Sequence, residues 1–215
     1  MTKPVIALDC DGVLLDYCKT FGQIYQQTFG KDVVVVNPRS FDAKNMYGIE
    51  FTPEEEIDFY TKFDEHGWHS MPMLDGALEA CDLLHEAGYE LVCVTTMSEK
   101  FVEQRLRNLK QHGFKIDRVI GRQIHHKLPN DFLKQDEHPN PKKEAIEKLK
   151  PVVFVDDLKR NFKDIQCDYT KFVYIDGEHT DDHPNLNDDT PYHYRYRSLI
   201  EFVKDFLKHE KEMLS

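Results

Sequence analysis

Short apolar runs that stop at Asp or Thr alternate with amphipathic segments that stop at Gly, and this alternation predicts an α/β fold. The expected architecture is a Rossmann-like, mostly parallel sheet with helices on both faces. One stretch after the first run breaks the rhythm and predicts a small, mainly helical insertion. The chain then divides into a core of residues 1–16 and 73–215 and a cap of residues 17–72. A length of 215 residues suits one such domain with one insertion.

The elements follow in order. "PVIALD" (4–9) is continuous, apolar and rich in β-branched residues, as expected of a strand buried on both faces. In the insertion, "KTFGQIYQQTFG" (19–30) and "PEEEIDFYTKFDEHG" (53–67) have helical patterns, and "VVVVNPRSFDAKNMYGIEF" (33–51) reads as a strand followed by an irregular loop. "DGALEACDLLHEAG" (75–88) spaces Ala77, Leu78, Ala80, Cys81, Leu83 and Leu84 as a helix does and ends at Gly88. "YELVCVTT" (89–96) is a second buried strand. "SEKFVEQRLRNLKQHG" (98–113) starts with Ser98 as expected N-cap, keeps Phe101, Val102, Leu106 and Leu109 on one side, and ends at Gly113. "PKKEAIEKLK" (141–150) opens a helix with proline, while "PVVFVDD" (151–157) and "KFVYIDG" (171–177) are further strands. "YRSLIEFVKDFLKHEKEML" (196–214) closes the chain as an amphipathic helix. The stretches 125–141 and 176–193 read as loops.

Composition narrows the function. Lys and Arg number 28 against 39 Asp and Glu, and the formal charge of −11 disfavours bulk attraction to nucleic acid or an anionic membrane. Five cysteines without a CxxC pair suggest reduced thiols rather than a zinc cluster or a disulfide framework. The N-terminal apolar run is too short for a signal peptide, and no stretch nears the roughly 20 apolar residues that span a bilayer. The expectation is a soluble, cytoplasmic protein without membrane or nucleic-acid partners; its oligomeric state is not legible.

Asp9, Thr95, Asp156 and Asp176 all fall where predicted strands end, the edge at which such sheets gather ligands. In "LDCDG", strand alternation aims Asp9 and Asp11 to one side and Cys10 away. Two carboxylates there suit a divalent, oxygen-seeking metal or a nucleophile with an acid/base partner, and they equally suit a turn whose aspartates bond their own backbone. "FVDDLKRN" supplies a second acidic pair, Asp156 and Asp157; one of these can cap a helix, but two acidic pairs at one sheet edge call for a cation. Thr95 and Thr96 offer hydroxyls for a phosphoryl oxygen, or simply strand filler and a cap. Lys142 and Lys143 are candidate local cations beside an anionic substrate, or a solvated face.

Together and in this order, "DCDGVLLD", "VCVTT", "KK" with "EAI", and "VFVDD" resemble the four motifs of the haloacid dehalogenase-like hydrolase superfamily. The resemblance spans about Lys3 to Asp176, and the insertion sits between the first and second motifs, where members with a type 1 cap carry theirs. It implies Asp9 as nucleophile, Asp11 as general acid/base, Thr95 with Thr96 as competitor on the transferring phosphoryl group, and a lysine on both, with Lys143 preferred over Lys142. It further implies Mg²⁺ held by Asp9, the backbone carbonyl of Asp11, Asp156 and, directly or through water, Asp157. Dehalogenase members generally lack the second aspartate, so Asp11 favours a phosphatase acting on a small phosphorylated metabolite through an aspartyl phosphate. The alternatives are a phosphotransferase or phosphomutase of the same superfamily, or a noncatalytic metal- and phosphate-binding sensor.

Selectivity is expected from the insertion. Tyr17, Phe21, Tyr25, Arg39, Tyr47 and Trp68 are candidate contacts, although Phe21 and Tyr25, four residues apart, suit the cap core, and Trp68 suits packing of the cap on the sheet. His125, His126, His179, His183 and His193 show no zinc spacing and read as surface loop residues. The acidic loop matches a calcium loop in composition only.

Overall fold

The computed structural model describes residues 3–122, 140–177 and 188–215. Six strands form one parallel sheet: β1 (Val5–Leu8), β2 (Glu90–Thr95), β3 (Arg118–Gly121), β4 (Val153–Asp156), β5 (Lys171–Ile175) and β6 (Tyr194–Tyr196), in the order β3-β2-β1-β4-β5-β6. The apolar first run thus becomes a central strand, flanked by the two other strands that end in candidate site residues. Register brings these ends level. Leu8 pairs with Cys93 on one side and Val155 on the other, and the Asp9 amide bonds the Val155 carbonyl at 2.9 Å.

Seven helices accompany the sheet among the described residues: α1 (Tyr17–Phe29), α2 (Ala43–Tyr47), α3 (Pro53–His66), α4 (Ala77–Glu86), α5 (Val102–Gln111), α6 (Lys143–Leu149) and α7 (Leu199–Met213). Alternation along the strands sends Ile6, Leu8, Leu91 and Cys93 to a core shared with α4, α5 and α7, and Ala7, Val92, Val94 and Phe154 to a core shared with α6 and Phe162. Both faces are covered, which is why these strands are apolar throughout.

Residues 17–72 hold α1, α2 and α3, and an aromatic cluster joins α1 to α3, with Phe21 4.4 Å from Phe59 and Tyr17 5.3 Å from Phe63. The chain leaves the sheet and returns through adjacent segments. The Asp16 amide bonds the Pro72 carbonyl, the Leu74 amide bonds the Leu14 carbonyl, and Leu15 pairs with Met73. Trp68 stacks on Phe101 of the core at 5.4 Å, the packing role expected of it. No helix among the described residues is long and apolar enough to cross a membrane.

Three expectations need correction. Val33–Val36 form no strand: Val34, Val35 and Val36 are 69%, 50% and 63% exposed, and the amides of Val36 and Asn37 reach only the Met46 carbonyl. β-branching without a neighbouring strand to pair leaves the segment as coil. Ser98 makes no side-chain cap bond, because a 3₁₀ turn over Glu99–Phe101 intervenes before α5 begins at Val102. The sheet has two more strands than the apolar runs suggest: β3 spans four residues and β6 three, with exposed charges that hide them. The loop read over 125–141 falls almost wholly outside the described residues, as does most of the acidic stretch 176–193.

Candidate active site

Asp9 follows the last residue of β1, and its contacts converge on one oxygen. Oδ1 accepts the Cys10 amide at 2.6 Å and lies 2.7 Å from Lys142 Nζ. The same ammonium is 2.7 Å from Asp156 Oδ2, while Asp156 Oδ1 accepts the Leu158 amide at 2.9 Å and Asn161 Nδ2 at 2.8 Å. Asp9, Asp156 and Asp157 are buried, and each offers an oxygen within 4.8 Å of the others. Gly12 allows this crowding. Its φ is +82°, and a Cβ there would lie 2.1 Å from Asp157 Oδ2, so no other residue fits between the two acidic pairs.

The cluster crowds buried carboxylates together. Burial pushes the Asp9 carboxyl up from the usual carboxylate range, against the pull of Lys142 and with Asp11 adding to the rise. Burial likewise lifts Asp156 to about 6, against Lys142, and lifts Asp157 well above its ordinary value, with Asp9 and Asp156 adding. For Lys142, burial alone would depress the ammonium, but Asp156 and Asp9 outweigh it and carry the pKa upward. Three hard oxygen donors that resist ionisation, gathered beside one lysine, fit a divalent cation such as Mg²⁺ in donor type and charge.

The side chain of Asp11 stands apart from that trio. It lines the same cavity as Asp9 and pairs with Arg105, whose Nη2 lies 2.9 Å from Oδ1 and 3.1 Å from Oδ2. Both Thr95 and Thr96 line this cavity of about 1000 Å³, which opens between the strand ends and the insertion. Of the two lysines, the structure brings in Lys142 and not the preferred Lys143. Lys143 begins α6 and turns outward, to Glu147 at 3.2 Å and to the Asp164 carbonyl. Lys142, one residue earlier, lies in the turn that aims inward, its amide held by Asn140 Oδ1 at 2.9 Å.

Among the insertion residues, Tyr17, Phe21 and Arg39 line the cavity, whereas Tyr25, Tyr47 and Trp68 do not. Asp16, which also lines it, caps α1 through a 2.8 Å bond from the Lys19 amide. Asp176 lies beyond β5, paired with Arg195. His193 Nδ1 accepts the Phe172 amide at 3.0 Å, and His125, His126, His179 and His183 lie outside the described residues.

Two residues of the site were missed in the sequence. Asn161 lies five residues after Asp156, so a polar group one turn past an acidic strand end was its only signal. Arg105 carried a clearer one: it falls midway between Phe101 and Leu109, on the buried side of a helical pattern.

The family model of the haloacid dehalogenase-like hydrolases matches residues 3–160, which include all four motifs. The chain belongs to that family. Among solved structures, a HAD family hydrolase from Deinococcus radiodurans R1, with bound phosphate and sodium, aligns over 99% of this chain and 98% of its own at 14% identity and a TM-score of 0.59. A predicted phosphoglycolate phosphatase from Haemophilus somnus 129PT aligns over 95% and 99% at 16% identity and a TM-score of 0.57. A dehalogenase aligns over 94% and 96% at 14% identity and a TM-score of 0.55. A search of curated proteins gave no match. Identities this low carry the fold alone, so within the haloacid dehalogenase-like hydrolases the reaction must be argued from the site.

Proposed function

We propose that this haloacid dehalogenase-like hydrolase is a cytoplasmic, Mg²⁺-dependent phosphatase of small phosphorylated metabolites, with Asp9 as nucleophile and Asp11 as acid/base. The observation that carries the reading is the pair itself: Asp9 and Asp11 line one cavity, with a second cation-hungry acidic pair beside Asp9. Halide leaves a carbon unaided, whereas an alkoxide needs a proton. A second carboxylate in the cavity therefore suits phosphoester cleavage.

In the first half-reaction an Asp9 oxygen bonds to phosphorus as the ester P–O bond breaks, and Asp11 gives its proton to the departing oxygen. In the second, Asp11 takes a proton from water as the water oxygen bonds to phosphorus, and the Asp9–phosphorus bond breaks to release inorganic phosphate. Lys142 holds the Asp9 Oδ1 in place and adds positive charge beside the anionic group. Thr95 and Thr96 offer hydroxyls to a phosphoryl oxygen. Asp9, Asp156 and Asp157, with the carbonyl of Asp11, would hold Mg²⁺, which when bound supplies charge neutralisation to the phosphoryl group.

A panel of phosphorylated metabolites assayed with Mg²⁺ and with EDTA tests the reading. Hydrolysis that requires the metal and disappears in Asp9→Asn is expected; wild-type turnover in a folded Asp9→Asn variant overturns it. Transfer of phosphate to an added sugar with little release to water would assign the phosphotransferase chemistry instead.

A further inference from the structure

Arg105 is a fully buried arginine on a helix face it shares with Asn108 and Leu109, and nothing in the four motifs asks for it. A guanidinium out of water is unfavourable unless it is paired and its donors are satisfied. Among the described residues, Asp11 is its one ion-pair partner. The other contacts are soft: Nη1 lies 2.9 Å from Met71 Sδ, the Trp68 ring sits 5.4 Å from Cζ, and among the described residues Nε has no hydrogen-bond partner. A purely structural arginine would be expected to meet backbone carbonyls as well; this one is spent on a single carboxylate.

The geometry of that carboxylate is informative. Asp11 Oδ1 is fully buried within ion-pair distance of Arg105, Oδ2 accepts the hydrogen bond from Nη2, and the side chain as a whole is 26% exposed and lines the cavity. Arg105 therefore grips Asp11 from behind and leaves its remaining surface facing the space in front of Asp9. A proton-transfer group must sit within hydrogen-bond reach of the leaving oxygen, so fixing its rotamer matters as much as having it.

The grip also reaches the insertion. α5 and the His112 that caps it seize Met71 with three side chains, because Asn108 Nδ2 donates to the Met71 carbonyl at 3.1 Å, His112 Nε2 lies 2.7 Å from the same oxygen, and Arg105 takes the sulfur. Met71 belongs to the segment by which the chain returns from the cap to the core.

We propose that Arg105 is the positioning residue of Asp11, and that through it the seating of the cap's return segment at Met71 sets the pose of the proton-transfer carboxylate. The inference rests on the phosphoester reading above. It gives α5 a role in the reaction that its position outside the four motifs does not suggest.

The test compares kcat/KM, which reports phosphoryl transfer to Asp9, for 4-nitrophenyl phosphate and for an alkyl phosphate. The aryl leaving group needs little protonation and the alkyl one needs much. In Arg105→Gln the alkyl ester should lose at least ~10-fold more than the aryl ester, part of the ~10² to 10⁴ that acid/base assistance is worth. Arg105→Lys, which keeps the charge without the planar fork, should fall between. In an Asp11→Asn background, Arg105→Gln should add little further loss on the alkyl ester, because both changes remove one function.

Folding is checked by circular dichroism and thermal melting. If Arg105→Gln does not fold, Met71→Leu and Trp68→Leu loosen the seat while keeping the buried charge, and they should show the same leaving-group signature at smaller amplitude. Equal losses on both esters in folded variants, or independent losses from Arg105→Gln and Asp11→Asn, overturn the positioning role alone. A wild-type protein that hydrolyses neither ester with Mg²⁺ overturns the phosphatase reading itself.

Discussion

Lys142 and Lys143 show how one residue of sequence separates two environments. The side chain of Lys142 is 1% exposed and its ammonium bridges two buried carboxylates, while the side chain of Lys143 is 34% exposed beside Glu147. Removing one member of a buried ion cluster costs ~3–5 kcal/mol, whereas a surface pair is worth ~0–1 kcal/mol. Lys142→Ala should therefore lose most of its activity and several kcal/mol in urea unfolding, and Lys143→Ala should keep both within error. Gly12→Ala is a second test at this scale. The added methyl meets Asp157, and the variant should lose ~1–3 kcal/mol together with any stabilisation by Mg²⁺. At this scale the acids, threonines and glycine were legible as types at strand ends. The choice between adjacent lysines was not, because it depends on where the α6 turn begins.

The helices and strands were legible where periodicity and punctuation agreed. Gly88 and Gly113 end their segments with φ of +97° and +90°, as their helix-stop positions suggest. Thr52 and Glu55 form a reciprocal capping box ahead of α3, and Asp16 caps α1. Asp16→Ala should cost about 1 kcal/mol in chemical denaturation, the usual worth of such a cap. The failures have a common cause. β3 and β6 are short and charged, and Val33–Val36 has strand chemistry but no partner, so each outcome was decided by neighbours distant in the chain. Arg105 belongs here too: the 101, 105, 109 spacing placed a charge on a buried face, but its partner lies 94 residues away at Asp11.

For the whole molecule, the α/β class, the covered parallel sheet and the helical insertion followed from the alternation of runs, whereas the cavity between insertion and sheet did not. Its lining is drawn from segments that only the tertiary fold brings together. The crowding of three buried carboxylates makes one global prediction. Mg²⁺ at 100 times its Kd should raise the unfolding free energy by about 2.7 kcal/mol, seen as a higher melting temperature that EDTA reverses and Asp156→Asn removes.

The central position of β1 also bears on the path of folding. β1 can pair with β2 once residue 95 is available, but its other edge stays open until β4, ending at Asp156, arrives. Long-range parallel pairing of this kind is slow. Asp156 and Lys142 reach Asp9 only with that late strand and the turn before α6, so the tension between the two acidic pairs is absent until then. The half-formed sheet is spared the repulsion between the two pairs, and its exposure is of another sort: an apolar strand edge, open to misplaced pairing until the second half of the chain closes it.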